Sequence, residues 1–236
     1  MRTMPSISVL IPAHNEAATL GDIVDRTIRV LRQSHNDFEI VVLNDGSTDS
    51  TTEILQELCK KYPKDIRILQ HRKRLGIART LEELYREGQK EILLVIHGDG
   101  QYPPENIPEI LQKMQSCDIV LLARTEKHYS LFRHILSGCY RWLPRMLFGV
   151  DLYDSGCSKC MRREVVWQIP VTSRGIFVEA ERVIRASRKG YRITKADITP
   201  EPRRAGRARG GSPLLIPRVL LDMASLFFRL RIRRKE

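Results

Sequence analysis

"LLVIHGDGQYPPENIP", residues 93–108, contains an abrupt change from apolar to polar sequence. The apolar run predicts a buried strand, and it ends at Asp99, which stands between two glycines. A double proline follows closely, and proline is well tolerated in the first turn of a helix. The stretch therefore predicts a strand, a polar turn and a helix, which together form the repeating unit of an α/β fold.

The same unit recurs along the first half of the chain. Short runs rich in β-branched residues alternate with segments whose apolar residues recur at helical spacing. Such alternation predicts a mostly parallel sheet that is flanked by helices on both faces. Strands are expected at 6–12, 38–43, 66–69, 91–96 and 118–123, and helices at 15–33, 47–62, 76–88 and 103–114.

Polar turns follow three of these predicted strands. They read "PAHNE" at 12–16, "NDGSTD" at 44–49 and "HGDGQ" at 97–101. Ligands of open α/β sheets bind beyond the carboxyl ends of the strands, so we expect the three turns to meet in one crevice. Each turn on its own is equally typical of ordinary turn and helix-cap chemistry.

The third turn carries the most specific chemistry. A carboxylate at Asp99 and an amide oxygen at Gln101 suit a hard divalent cation that also binds phosphate oxygens. Gly98 and Gly100 allow the backbone to approach a diphosphate closely.

Net charge points to an anionic partner. The chain has 40 Lys and Arg against 28 Asp and Glu, and the excess is concentrated in residues 203–236. Nucleic acid, acidic lipid or a phosphorylated substrate would each match this charge. A nucleic-acid binder is disfavoured because the basic residues lack interleaved aromatic side chains and match no known binding motif.

A helix is predicted at the C-terminal end, over 214–230. Its apolar residues share one face, its polar residues share the other, and a basic segment follows. Such a face either packs on the domain or lies in an anionic membrane surface, and residues 130–148 form a second candidate of the same kind. The apolar face consists of Leu215, Val219, Met223, Leu226, Phe227 and Leu230.

The ordered motifs resemble those of family 2 glycosyltransferases, which have the GT-A, Rossmann-like fold. Among them the dolichyl- and polyprenyl-phosphate sugar synthases are the most similar, and the resemblance extends over about residues 5–232. It implies a catalytic domain at 1–213 and an amphipathic, basic helix at 214–236. The motifs are "VLIPAHNEAATL", "VVLNDGSTDST", "HGDGQYPP", "IVLLAR", "DSGCSKCMRREVV", "GYRITKADI" and "PRRAGRARGG".

The resemblance also implies a set of site residues. Asp99 and Gln101 would hold Mg²⁺ or Mn²⁺, and His97, which stands where the family usually has an aspartate, is a third candidate ligand. Asp99, Asp154 and Arg124 would be the catalytic residues. The nucleotide-sugar pocket would include Pro12, His14, Glu16, Asp45, Gly98 and Asp99, with Asp45 at the base, and the acceptor phosphate would contact Arg124, Arg204 and Arg209.

The function implied is inverting transfer of a sugar from a GDP- or UDP-sugar to polyprenyl (dolichyl or undecaprenyl) phosphate. The odd number of cysteines and the absence of a signal-type apolar core in residues 1–12 add the expectation of a cytoplasmic protein, peripheral on the cytoplasmic face of a membrane. A membrane partner subunit is an alternative anchor. Other readings are transfer to a hydroxyl acceptor, with Asp154 as general base, a degenerate and inactive homologue, and a basic nucleic-acid-binding protein.

Overall fold

Seven strands form one sheet in a computed structural model that describes residues 5–34, 37–125, 142–153, 158–173, 175–202 and 216–232. The strands are β1 (Ile7–Ala13), β2 (Phe38–Asn44), β3 (Ile66–Gln70), β4 (Ile92–Val95), β5 (Ile119–Arg124), β6 (Lys159–Arg162) and β7 (Ile193–Ile198). Their order across the sheet is β3-β2-β1-β4-β6-β5-β7. All strand pairs are parallel except those that involve β6, so the predicted mostly parallel α/β sheet is confirmed.

Helices cover both faces of the sheet and enclose two apolar clusters. The helices are α1 (Leu20–Ser34), α2 (Thr51–Lys61), α3 (Ile77–Glu87), α4 (Ile107–Met114), α5 (142–148), α6 (Arg163–Gln168), α7 (Val178–Arg188) and α8 (Ile216–Ile232). A 3₁₀ turn, Pro104–Asn106, leads into α4, as the double proline predicts.

Helix α1 begins five residues later than its periodicity predicts. Asn15 adopts a left-handed conformation with φ 58°, which a helix does not accommodate. The carbonyl of Glu16 then accepts hydrogen bonds from the N–H groups of Thr19 and Leu20, which closes a turn. The segment between β1 and α1 is therefore a loop at the carboxyl end of the sheet.

Strand β6 was not predicted as a separate element. It has four residues, "KCMR", and it runs antiparallel to both β4 and β5. Its first residue, Lys159, is buried, so the strand shows neither a continuous apolar run nor clear alternation. Because β6 is reversed, its amino end lies at the same edge as the carboxyl ends of the other strands.

The C-terminal helix packs on the domain. Val219, Met223 and Leu226 are buried, and Phe227 lies 6.1 Å from Phe148 of α5 between ring centroids. Five of the six residues of the predicted apolar face thus pack in the core and are not available to a membrane, and Leu215 lies outside the described residues. Within the described ranges, no helix combines the length and hydropathy that a bilayer span requires.

Candidate functional site

The loops that follow β1 and β2 are hydrogen-bonded to each other. Nδ1 of His14 donates to the carbonyl of Asp45 at 2.8 Å, and the N–H of Asp45 donates to Ala13 at the same distance. The N–H of Asn15 donates to the hydroxyl of Ser47 at 3.0 Å. Two of the three predicted turns therefore meet, as the parallel topology requires.

The loop that follows β4 joins them. The hydroxyl of Thr19 donates to the carbonyl of Gly98 at 2.6 Å, and the N–H of Gly98 donates to Pro12 at 3.4 Å. A Cβ atom at Gly98 would lie in van der Waals contact with Glu16, 3.5 Å from its Cγ. Pro12, Glu16 and Gly98 thus lie together, which brings all three predicted turns to one edge.

Asp99 occupies a fixed turn within this loop. Its Oδ1 accepts a hydrogen bond from the N–H of Gln101 at 3.1 Å, and Gly100 supplies the left-handed conformation that the turn needs, with φ 75°. The carbonyl of Gln101 accepts from Glu201 beyond β7, and the hydroxyl of Tyr102 accepts from the N–H of Ser158, each at 3.1 Å. The loop is therefore held by the segments that precede β6 and follow β7.

The carboxylate of Asp45 organises the segment between β3 and α3. It accepts hydrogen bonds from His71 and from the N–H groups of Leu75 and Gly76, at 2.7–2.8 Å. Burial opposes ionisation, but these bonds outweigh it and lower the pKa of Asp45. An ionised carboxylate has about four acceptor sites, so three bonds leave capacity for one more donor, such as a base imide.

His71 is a site-edge residue that the sequence reasoning missed. Its ring nitrogens lie 2.8 Å from Asp45 Oδ1 and 3.0 Å from Glu83 Oε2. Burial favours the neutral ring, yet the two carboxylates outweigh it and raise the pKa of His71. The signal was available, because His71 directly follows β3 and so occupies the same edge as the three predicted turns.

The protonation state of His97 is suited to binding a metal ion. Burial is the main cause that lowers the pKa of His97, and the charges of Lys159 and Arg124 act in the same direction, whereas Asp99 opposes them. The neutral ring that results is the form that binds a metal.

Three side chains in the loop that follows β4 could ligate a divalent ion. They are the carboxylate of Asp99, the amide of Gln101 and the imidazole of His97. No group of three His, Cys, Asp or Glu side chains in the described ranges forms a complete metal site. The residues fit an ion whose remaining ligands are water and a substrate diphosphate, as is usual for Mg²⁺.

A buried polar cluster lies next to this loop. Nζ of Lys159 is 3.4 Å from Oε2 of Glu179, and that oxygen also accepts the hydroxyl of Tyr85 at 3.0 Å. The guanidinium of Arg182 stacks 5.2 Å from the Tyr85 ring centroid. The charges of Lys159 and Glu179 both act on the pKa of His97, so the cluster is close to the site. The sequence reasoning missed it, because β6 lacks a recognisable strand pattern and Glu179 is distant from it in sequence.

Arg124 is the last residue of β5 and lies half-buried at the same edge. The next residue, Thr125, donates its N–H to the carbonyl of Ile198, which closes β5 against β7. Asp154, Arg204 and Arg209 lie outside the described residues.

Comparison with known proteins gives matches over most of the chain. The model of the family "Glycosyl transferase family 2" matches residues 8–169. An undecaprenyl-phosphate 4-deoxy-4-formamido-L-arabinose transferase from Pectobacterium carotovorum is 29% identical over 163 residues, which are 68% of this chain and 50% of that protein. A dodecaprenyl-phosphate galacturonate synthase from Rhizobium johnstonii is 26% identical over 235 residues, which are 96% of this chain and 68% of that protein. The chain thus spans about half the length of the first relative.

Solved structures share the fold at lower identity. Glucosyl-3-phosphoglycerate synthase from Mycobacterium tuberculosis, in complex with Mn²⁺, UDP and phosphoglyceric acid, has a TM-score of 0.73 at 21% identity, with 94% of this chain and 78% of that chain covered. A mannosyltransferase from Pyrobaculum calidifontis, in complex with GDP-Man and Mn²⁺, has a TM-score of 0.65 at 17% identity, with 97% and 65% covered. These matches agree with the architecture described above.

Proposed function

The chain belongs to glycosyl transferase family 2, and we propose that it is an inverting, divalent-metal-dependent glycosyltransferase that transfers a sugar from a nucleotide donor to polyprenyl phosphate. The observation that carries this proposal is the convergence of the loops after β1, β2 and β4 at one edge, where Asp99 is held in a fixed turn. The names of two relatives, both transferases to a polyprenyl phosphate, support the acceptor.

The first half of the sheet, β3-β2-β1-β4, would bind the nucleotide donor. Asp45 has one acceptor site left for the base, and His14 and Glu16 border the same crevice. Asp99, Gln101 and His97 would hold Mg²⁺ or Mn²⁺. Such an ion stabilises the negative charge that develops on a departing nucleoside diphosphate. The two structural neighbours named above were solved with Mn²⁺ and a nucleotide, which supports this assignment.

The second half would bind the acceptor phosphate. Arg124 lies at the same edge, and we assign Arg204 and Arg209 to the same role because guanidinium groups match phosphate oxygens. A phosphate oxygen would attack the anomeric carbon while the bond to the nucleoside diphosphate breaks, which inverts the configuration. Because this nucleophile is already anionic, Asp154 would orient it and would not need to remove a proton.

Transfer to a hydroxyl acceptor is the second candidate. It is supported by a neighbour of the same fold, glucosyl-3-phosphoglycerate synthase, which was solved in complex with phosphoglyceric acid. A hydroxyl acceptor needs a general base, and Asp154 would supply it. The rate with that acceptor should then fall at acid pH as Asp154 becomes protonated, and Asp154→Asn should remove this acid limb.

We also propose that the protein binds the cytoplasmic face of a membrane through α5 and α8. Large apolar side chains on these helices are exposed, at 60% for Trp142, 70% for Leu221 and 63% for Phe228. Arg229 and Arg231 are also exposed in the last turns of α8. Apolar and basic side chains on one surface are typical of proteins that bind anionic bilayer interfaces.

Liposome co-sedimentation tests this surface without deleting α8, whose buried face belongs to the core. The double variant Leu221→Ser/Phe228→Ser should bind phosphatidylglycerol vesicles more weakly than the wild type. Trp167→Ser is the matched control, because Trp167 is 65% exposed on α6 and lies outside the proposed surface. Equal sedimentation of the double variant and the wild type would contradict the membrane proposal.

Incubation with radiolabelled sugar nucleotides, Mn²⁺ and undecaprenyl phosphate tests the enzymatic proposal. We expect one donor to give a labelled product that partitions into organic solvent, and we expect a chelator to prevent its formation. A panel of UDP- and GDP-sugars in which no donor gives such a product would contradict transfer to a lipid phosphate.

A further inference from the structure

Two buried oxygens beside the site have no hydrogen-bond partner among the described residues. They are Oγ of Ser158 and Oε1 of Glu179. Ser158 is 2% exposed and Glu179 is 9% exposed, so bulk water reaches neither side chain freely. Buried polar atoms in native proteins are nearly always hydrogen-bonded. A pair of unpartnered oxygens at a substrate crevice therefore indicates groups that a ligand satisfies.

The surrounding contacts hold both residues in place. The N–H of Ser158 donates to the hydroxyl of Tyr102, in the loop that carries Asp99, and its carbonyl accepts from Leu122 of β5. The other oxygen of Glu179, Oε2, is engaged by Tyr85 and by Lys159. Glu179 is thus anchored through one oxygen, and its second oxygen remains an acceptor.

The charge of the cluster decides which chemistry fits. Lys159 and Glu179 offset each other at 3.4 Å, and Arg182 is offset by its ion pair with Glu82, so the cluster carries no net charge. A phosphate or a sugar carboxylate would be repelled by Glu179, which can only accept hydrogen bonds while ionised. Neighbouring hydroxyl groups both donate and accept, so they can satisfy Glu179 Oε1 and Ser158 Oγ together.

We infer that Ser158, Lys159 and Glu179 form the subsite that binds the hydroxyl groups of the donor's pyranose ring, and that they select neutral sugars. This inference rests on the proposed function, since it assigns the sugar portion of the same nucleotide donor. Tyr85 is assigned as a positioning residue, because it is fully buried and its hydroxyl donates to Glu179. The reversed direction of β6 is what brings Ser158 and Lys159 to the edge where Asp99 lies.

The test compares each sugar nucleotide with its bare nucleotide. Dissociation constants are measured by calorimetry, in Mn²⁺, for UDP, UDP-glucose, UDP-glucuronate, GDP and GDP-mannose. Glu179→Gln should weaken binding of the preferred sugar nucleotide by about 10- to 100-fold, the usual effect of losing a hydrogen bond to a charged group, with the bare nucleotide unchanged. Ser158→Ala should weaken it by about 2- to 10-fold, as for a neutral hydrogen bond.

Glu39→Gln is the matched control. Glu39 is a half-buried, hydrogen-bonded carboxylate at the opposite edge of the sheet, where it accepts from Ser8 and from the N–H of Gln89. This variant should retain the wild-type ratio of affinities. Thermal melting of each variant separates a loss of fold from a loss of binding.

The outcomes separate the two proposals. The enzymatic proposal stands if the wild type binds nucleotides and makes product. In that case, the subsite inference is overturned if Glu179→Gln keeps the wild-type ratio of the affinities for sugar nucleotide and bare nucleotide, which includes an equal weakening of both. If the wild type binds UDP-glucuronate as tightly as UDP-glucose and GDP-mannose, or more tightly, the selection of neutral sugars is overturned. A wild type that binds no nucleotide overturns both.

Discussion

The two halves of the sheet, β3-β2-β1-β4 and β6-β5-β7, differ in how completely their buried polar groups are hydrogen-bonded. Around β1–β4, the strand-end side chains are bonded to one another, and no buried side-chain nitrogen or oxygen of the described residues before Ser158 lacks a partner. The remainder of the described chain has five such atoms, in Ser158, Arg163, Glu179, Arg182 and Asp222. The first half is thus preorganised before any substrate arrives, whereas the second half retains groups that a substrate or neighbouring segment can satisfy.

The largest effect should come from the ion-binding turn of the first half. Asp99→Ala should lower transfer by about a hundredfold or more, because it removes electrostatic stabilisation of the leaving diphosphate. Mn²⁺-dependent donor binding should be lost with it, as calorimetry can show. Asp197→Ala, on an exposed carboxylate paired with Lys195, is the control and should remain active. Full activity of Asp99→Ala would refute the metal assignment.

Rigidity of the first half can be tested at Gly46. This residue has φ 62°, and a Cβ atom would lie 2.6 Å from backbone atoms of Lys73 and Arg74. Gly46→Ala should reduce the free energy of unfolding by about 3 kcal/mol, because strain and overpacking act together. Gly190→Ala is the matched comparison, since Gly190 has φ 87° but no atom within 4 Å of the added Cβ. It should cost about 1 kcal/mol in urea unfolding, from strain alone. Equal decreases in the free energy of unfolding for the two variants would show that the loop after β2 can move to accommodate the added Cβ atom.

Protonation of His71 should make part of this rigidity depend on pH. The folded-state pKa is raised above the ordinary value of 6.5, so the imidazolium contributes stability fully below that value and loses it as pH rises through the folded-state pKa. His71→Gln should cost about 1–2 kcal/mol at pH 6, because it leaves Asp45 and Glu83 short of a donor. Urea unfolding between pH 5.5 and 8.5 should show this difference shrinking as pH rises. A difference in the free energy of unfolding that stays constant with pH would refute a protonated His71 that bonds to both Asp45 and Glu83.

The smallest effect should come from a link between the halves. Arg26 of α1 pairs with Glu105 before α4 and with Glu201 after β7. Arg26→Gln should lower the free energy of unfolding by about 1 kcal/mol, because these pairs are partly solvated. Raising the salt concentration should shrink the effect. Arg32→Gln, which breaks an exposed pair with Asp65, is the control and should cost less. A loss several times larger than expected would mean that the halves depend strongly on this contact.

Sequence reasoning succeeded where local pattern and topology agree. The strands β1, β2 and β4 are mostly apolar runs, and each is followed by a polar turn that the sequence predicts. The rule that parallel strands end at one edge was enough to bring His14, Asp45 and Gly98 together. The same rule would have found His71 had β3 been extended by one residue.

Prediction was weaker where contacts come from elements that are distant in sequence. Glu179 meets Lys159 and Tyr85 only because β6, α7 and α3 pack together, and no local spacing encodes that meeting. The partners of Asp45 were also unforeseen, since the N–H groups of Leu75 and Gly76 belong to a loop without a recognisable motif. Val219, Met223 and Leu226 of the predicted apolar face are buried in α8, but periodicity alone does not distinguish a core contact from a membrane contact.

The reversed orientation of β6 makes part of the crevice's rim independent of the parallel strands β1 and β2. Changes at positions 158 and 159 alter the rim of the crevice without shifting the pairing of β1 with β2 or β4. Because Ser158 precedes β6 and Lys159 begins it, substitution at these two positions leaves the hydrogen bonds that join the loops after β1, β2 and β4 in place.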